Sequence, residues 1–402
     1  MDGFPEDSLS HAPISPALMK WARERAGLTL EQLSHNFVPL AKLAAWEREG
    51  EQELPTLAQA ETLANKLKIP LPILFLSEPP EESIPVVDFR TVTGKRRTKP
   101  STEFLDTVND VVVRQSWFSE YVRHEYRNRP LPFVRSFTAS DATELIAKDI
   151  RETLKIDAGL RQECQSWKEF LTKLIQRAEQ RGILVMRNGI VGYEHTRKLR
   201  VEEFRGFALS DPYAPLVFIN YRDAKAAQIF TLAHELAHIW LGASGISNPD
   251  PTKALVDFKV AIEQKCNAIA AEVLLPKAAF PWNDAASTEA NVEDVALEYR
   301  VSRIVVLRRA SDLGKIAKEE FTRLAKKEYG RSKRAEAKDS REEESRGHFW
   351  NWNLFLMRNG HAFTKEVATA ARSGRIPFIR AAHLLGVRAS TVESYLNKFH
   401  SA

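Results

Sequence analysis

The sequence predicts an α+β chain that is mostly α: a helical unit at the N-terminal end, a central domain with a small sheet beside a long apolar helix, and a helical domain at the C-terminal end. Three observations carry this. Capping residues and apolar residues at helical spacing recur from Ser15 to Leu76. Short apolar runs bounded by turn residues occur only in the middle, at 183–186, 206–209 and 216–219. Helical spacing then returns beyond Pro281-Trp282, with one mixed-charge interruption.

Composition bounds the answer further. The chain has 402 residues, 44% hydrophobic and 28% charged, with a mean hydropathy of -0.34, which suits a globular protein of several domains. No run approaches the roughly 18 apolar residues of a membrane span. The opening Met1-Asp2-Gly3-Phe4-Pro5-Glu6-Asp7 lacks a basic stretch followed by an apolar one, so the expectation is a cytoplasmic protein with no membrane partner. Two cysteines, Cys164 and Cys266, are too few for a disulfide framework or a cysteine-built zinc site. A net charge of +5 permits nucleic-acid contact without arguing for it.

Taken in order, residues 1–79 form the first unit. Ser15-Pro16 caps and starts a helix carrying Leu18, Trp21 and Ala22, which Gly27 can stop. Thr29-Leu30-Glu31-Gln32 is a capping-box opening for a second helix, with Leu33 inward. Leu40, Leu43 and Trp46 give a third its apolar stripe, Pro55-Thr56-Leu57 opens a fourth, and the run from Pro70 to Leu76 closes the module. This pattern resembles the Xre family of helix-turn-helix proteins along its length, which would put the third helix in the major groove of DNA. Its early positions, Pro39, Leu40, Ala41, Lys42, Ala44 and Ala45, offer little that can hydrogen-bond base edges, and the turn before it lacks the usual glycine between Phe37 and Val38. Lys42, Arg48 and Asn36 are the candidate DNA contacts, and a protein partner in place of DNA stays open.

Residues 80–103 read as a linker, entered through Glu78-Pro79-Pro80-Glu81-Glu82 and containing the solvated basic loop Gly94-Lys95-Arg96-Arg97-Thr98-Lys99. The second domain spans 104–282. It is helical to about Ala178, with Trp117, Phe118 and Tyr121 as core, and then turns to the three strands. A helical extension covers 283–330, a charged linker 331–346 and a C-terminal helical domain 347–402, for which Phe349, Trp350, Trp352 and Phe355 supply a core. Residues 295–309 and 381–395 both carry helix-turn-helix spacing, for which a plain helical hairpin is the simpler reading.

The chemistry lies in His234-Glu235-Leu236-Ala237-His238. On a helix, residues four apart stand one turn above each other, so His234 and His238 can aim at one Zn²⁺ with Glu235 beside it as the acid/base. An accidental H-E-x-x-H arises in roughly one or two chains per hundred of this size, so the surroundings must decide. Ile229, Phe230, Leu232, Ala233, Leu236, Ala237 and Trp240 mark a buried helix, where two histidines and a carboxylate need partners. Downstream, 263–276 reads as a second helix ended by Pro276, with Glu263 as third ligand and Asn267 one turn on to orient a ligand histidine.

The run Phe204-Arg205-Gly206-Phe207-Ala208-Leu209, then Pro215-Leu216-Val217-Phe218-Ile219-Asn220, the H-E-x-x-H helix and the 263–276 helix together closely resemble the ImmA/IrrE family of zinc metallopeptidases, in the long form that begins with an Xre-type domain. The resemblance implies a zincin-like fold, His234, His238 and Glu263 as zinc ligands and Glu235 as catalytic acid/base. It also implies a transcriptional repressor as protein substrate, cut in stress response or mobile-element control. Cys266 and Ile269 depart from the family's usual residues, outside the ligand set. Tyr193, His195 and Tyr221 are polar and near the motif, but nothing in the sequence selects an oxyanion donor among them. The competing expectation is an antitoxin-like regulator binding DNA or a toxin around a structural or vestigial zinc. Three visible ligands, where a structural zinc is usually closed by four, favour catalysis.

Overall fold

The computed structural model describes residues 11–48, 53–80, 87–88, 100–126, 129–247, 258–345 and 352–398. Its chain divides into two compact units, residues 1–84 with 98–106, and residues 85–97 with 107–402. The architecture is α+β and mostly α, as the sequence predicts. Among the described residues no helix is long and apolar enough to cross a membrane.

The first unit contains α1 (Pro16–Arg25), α2 (Leu30–Ser34), α3 (Leu40–Trp46), α4 (Leu57–Leu67) and a 3-10 turn, Leu71–Phe75. Each helix start has a local cause. Ser15 caps α1 with a proline behind it. Thr29 and Gln32 exchange hydrogen bonds of 3.2 and 2.9 Å at α2, and Thr56 with Gln59 repeats the reciprocal box at α4. Met19, Leu33, Leu43, Trp46, Leu63, Leu67 and Leu74 close one core. Leu40, expected in the apolar stripe of α3, is 42% exposed instead. At the start of so short a helix, burial reaches only the residues a turn further on. The turn before α3 manages without glycine because Asn36 takes the left-handed conformation, at φ 53°.

The second unit begins with α5 (Thr102–Glu125), most of which belongs to it, followed by α6 (Thr143–Leu154), α7 (Ala158–Gln162) and α8 (Trp167–Gln180). A five-stranded sheet comes next: β1 (Val87–Asp88), β2 (Leu184–Asn188), β5 (Gly206–Leu209), β6 (Leu216–Asn220) and β7 (Gly245–Ser247), with β3 (Ile190–Val191) and β4 (Glu194–Lys198) forming a separate hairpin. The sheet order is β1-β7-β5-β6-β2, so of the three strands legible in the sequence β2 stands at an edge while β5 and β6 are interior. β2 and β6 run parallel, and every residue of β6 is buried, which explains its unbroken apolar run.

Two long helices cross this sheet's neighbourhood, α9 (Lys225–Leu241) and α10 (Phe258–Leu274); α9 packs on β5 and β6 and against α10. Beyond them come α11 (Thr288–Tyr299), α12 (Arg303–Asp312), α13 (Lys318–Ser345), α14 (Trp352–Asn359), α15 (His361–Arg372), α16 (Phe378–Leu385) and α17 (Ala389–Lys398). The mixed-charge stretch expected as a linker at 331–346 is helical as far as Ser345. Its Ala, Glu, Lys and Arg are strong helix formers, and propensity prevails without an apolar stripe. α14 and α15 pack directly against β2, within the same unit as the central domain. Trp117 of α5 stacks on Tyr121 at 5.1 Å and meets Phe363 of α15 edge-on at 5.8 Å, so the aromatics read as core fasten α5 to the C-terminal helices. The N-terminal Met1 to Asp7, Glu81, Glu82, Phe89, Arg90, the basic loop from Gly94 to Lys99, and Phe349, Trp350 and Asn351 lie outside the described residues.

Candidate metal centre

α9 is buried along almost its whole length, from Gln228 to Trp240, and its direction is fixed at both ends. Gln228 donates from Nε2 to the Tyr221 and Asp223 carbonyls, at 2.9 and 2.6 Å. At the other end Trp240 donates from Nε1 to Asp149 at 2.7 Å and stacks on Phe133 at 4.5 Å. Gly242 then ends the helix in the left-handed conformation, at φ 71°. α10 is anchored by its last carbonyls: Arg151 donates to Glu272 O at 2.6 Å and Arg161 to Leu274 O at 3.0 Å, satisfying groups the helix leaves unpaired. Ala233 and Ala237 on α9 and Ala270 on α10 are buried and small, which suits a close approach of the two helices.

That approach brings three side chains together. His234 Nε2 and His238 Nε2 stand 3.1 Å apart, and the Glu263 carboxylate lies 3.2 Å from the first and 3.0 Å from the second. All three are buried. Ligand atoms around a small tetrahedral cation, each about 2.0–2.2 Å from it, are about 3.3 Å apart, so the triangle has nearly the edge length a divalent ion requires. The donors also have the right character. His234 Nδ1 donates to Asn267 Oδ1 at 3.1 Å, which leaves the Nε2 lone pair aimed at the triangle. Among the described residues this is the one His/Cys/Asp/Glu group whose donor atoms all converge so closely, and neither Glu235 nor Cys266 joins it. The residues therefore fit a metal with three protein ligands.

Electrostatics follow the same geometry. Burial works against charge on Glu263, but the two imidazoles outweigh it and hold the carboxyl down at about 2. Burial likewise opposes charge on His238, while Cys266 and Glu263 beside it shift the ring upward overall. Cys266 thus lies at the candidate site itself: its thiol hydrogen-bonds His238, one of the two converging histidines, and burial raises its own pKa. Ile269 is simply core.

Glu235 is fully buried on α9, one residue past His234. Gly206 of β5 lies against it. A Cβ there would come within 3.1 Å of Glu235 Oε1, 2.6 Å of Thr231 Cγ2 and 2.9 Å of the Phe218 carbonyl. Only glycine lets the strand run this close beneath the helix. The residue sits inside a run the sequence marked as a strand, but its contact with Glu235 is long-range and invisible before folding.

The other polar candidates make contacts of their own. Tyr193, in the β3–β4 turn, donates its hydroxyl to Leu385 O at 3.2 Å and accepts from Asn359 Nδ2 at 2.7 Å, so it ties the hairpin to the C-terminal helices. His195 is exposed on β4, and the ring of Tyr221 lies 3.8 Å from Lys225 Nζ. In the first unit Lys42 pairs with Glu53 at 3.2 Å and lies over Trp46, while Arg48 and Asn36 are exposed.

Neither the curated proteins nor the solved structures give a match to this chain. A family model does, over residues 178–311, a stretch that opens at the end of α8, contains the sheet from β2 to β7 together with α9 and α10, and closes within α12. That part of the chain matches the Peptidase M78 family model, described as an IrrE N-terminal-like domain, and it holds both helices that carry the converging histidines and glutamate.

Proposed function

We propose that the chain is a zinc-dependent endopeptidase, with His234, His238 and Glu263 as metal ligands and Glu235 as general acid/base, coupled to an N-terminal helix-turn-helix module. The observation that carries this reading is the triangle of donor atoms, 3.0 to 3.2 Å on each side, with Glu235 on the same helix and no fourth ligand among the described residues. A structural zinc is usually closed by four protein ligands, and three with room for a fourth partner is the catalytic pattern.

Zn²⁺ bound there would supply Lewis acidity, polarising the scissile carbonyl and acidifying the attacking water. Glu235 takes that water's proton and delivers it to the leaving amine. Its burial on a rigid helix limits the carboxylate to a small set of positions, and Gly206 leaves it the space to occupy them. Asn267 holds the His234 ring in the tautomer a ligand needs.

The resemblance to ImmA/IrrE peptidases supports a helix-turn-helix repressor as substrate, cleaved in stress response or in control of a mobile element. The experiment compares the wild type with Glu235→Gln, measuring zinc content and cleavage of a candidate repressor co-expressed with each. The expected result is unchanged metal content and loss of cleavage by at least about 10²-fold. Equal regulatory activity from both proteins would instead favour an antitoxin-like binding protein.

A further inference from the structure

We propose that Arg187, Arg222, Lys225 and Arg358, gathered around Tyr221 at the root of α9, form a site for a phosphate group, and that its ligand is a small phosphate-bearing anion. The inference is independent of the peptidase reading and begins from the backbone. β2 pairs in parallel with β6, which sets Arg187 opposite Ile219 and Asn188 opposite Asn220. The Tyr221 amide donates to Asn188 O at 3.0 Å, so the chain leaving β6 stays beside the end of β2. Gln228, in the first turn of α9, ties the pieces together: its Nε2 donates to Tyr221 O at 2.9 Å and its Oε1 accepts from Arg187 Nη1 at 3.4 Å. Lys225 Nζ lies 3.8 Å from the centre of the Tyr221 ring. The stem of Arg222 is laid over Gly189, where a Cβ would come within 2.7 Å of Arg222 Cγ. From the other side α14 packs on β2 and brings Arg358, whose guanidinium lies over the Tyr193 ring at 5.2 Å. Arg187 and Arg358 are both near enough to Tyr221 to act on its phenol.

What the three arginines lack is an acid. Among the described residues the Arg187 guanidinium bonds only the neutral amide of Gln228, and neither Arg222 nor Arg358 forms an ion pair. Arg358 Nε is buried with no hydrogen-bond partner among the described residues. The acids nearby are already engaged: Asp223 pairs with Arg205 at 2.8 Å, and Glu179 accepts from the Ala362 amide at 3.1 Å. Burial therefore pushes Arg187 down to about 10, with Tyr221 and Glu179 opposing it only in part, and burial lowers Arg358 as well. An anion against these groups would remove that penalty. α9 adds its own field in the same direction, since it is 17 residues long and its N-cap, Ala224, makes no side-chain cap. Three guanidinium forks and an ammonium match the several oxygens and double charge of a phosphate, whereas a carboxylate would fill one fork.

The test uses the full chain. Inorganic phosphate is titrated calorimetrically at a constant ionic strength of about 0.15 M, with chloride as the balancing anion. The expected result is saturable binding of one phosphate per chain with a Kd below about 1 mM. Arg187→Gln and Arg358→Gln should each weaken it by about 10- to 100-fold, the worth of a hydrogen bond between charged groups. Their urea midpoints without phosphate should not fall, because each removes a buried charge with no acid against it; a merely structural arginine would lower the midpoint. Arg358→Lys keeps the charge and loses the fork, so its affinity should lie between those of the wild type and Arg358→Gln. ADP in place of phosphate separates the sources. Affinity no higher than that of phosphate assigns the site to the free ion, and tighter binding that Arg187→Gln abolishes assigns it to the phosphates of a nucleotide. Absence of saturable binding overturns the proposal. So does binding that both glutamine variants keep, and so does binding lost with Glu263→Gln instead, which would put the phosphate at the candidate metal centre.

Discussion

Asn267 is the residue on which the precision of the candidate metal centre rests. Its amide oxygen accepts from His234 Nδ1 at 3.1 Å, one helical turn from Glu263 on α10, so a single helix would supply both a proposed ligand and the group that orients another. Removing it leaves His234 free to rotate and to present the wrong nitrogen. Asn267→Ala should therefore weaken zinc binding by about 10- to 100-fold, measured by competition with a chelator, while the fold is kept. Unchanged affinity would mean that packing alone sets the imidazole. Helical spacing puts His234 and His238 on one face of α9 and Glu263 and Asn267 on one face of α10, because one turn is a local relation; that the two faces meet is a tertiary fact. Cys266 against His238, and Gly206 beneath Glu235, depend on tertiary packing between separate elements, and no spacing rule reaches them.

At the level of elements, burial decides what can be read in advance. β5, β6 and β2 are four or five residues long and buried, and their apolar runs stand out in the sequence. β7 is Gly245-Ile246-Ser247 and β1 is Val87-Asp88, and such short pieces are strands only because a neighbour pairs with them. The junction of α14 and α15 is another case set by its neighbour. Gly360 has φ 79° and ψ 139°, where an L side chain is strained, and a Cβ on it would lie 2.8 Å from the Val185 carbonyl of β2. Gly360→Ala should cost about 1–3 kcal/mol, read as a lower urea midpoint for the second unit. An unchanged midpoint would show that α15 can lift from β2 without penalty.

For the second unit as a whole, the C-terminal helices belong to the same body as the candidate metal centre, and one buried carboxylate couples their attachment to pH. Glu179, near the end of α8, accepts from the Ala362 amide at 3.1 Å at the start of α15, where a carboxylate complements the helix dipole. Burial nevertheless dominates and raises it from 4.5 to about 7, against the amides of Ala362 and His361 and the charge of Arg187. Between those two values the folded chain holds a proton that the unfolded chain has released. The stability this group contributes is complete below the unfolded value and is lost as pH rises through the folded one, a change of roughly 3 kcal/mol at most. Glu179→Gln keeps the acceptor for Ala362 and removes the titration. Its stability relative to the wild type should be near equal at about pH 4.5 and higher by roughly 2–3 kcal/mol at about pH 8, from urea unfolding at both. A wild-type-minus-variant difference that does not move with pH would mean that Glu179 is already ionised in the fold, and that the contact between α8 and α15 is an ordinary charged cap. If the difference does move, the attachment of α15, and with it of α16 and α17, is weakest in alkaline solution, so the C-terminal helices should exchange their amides faster there while α9 and α10 stay protected.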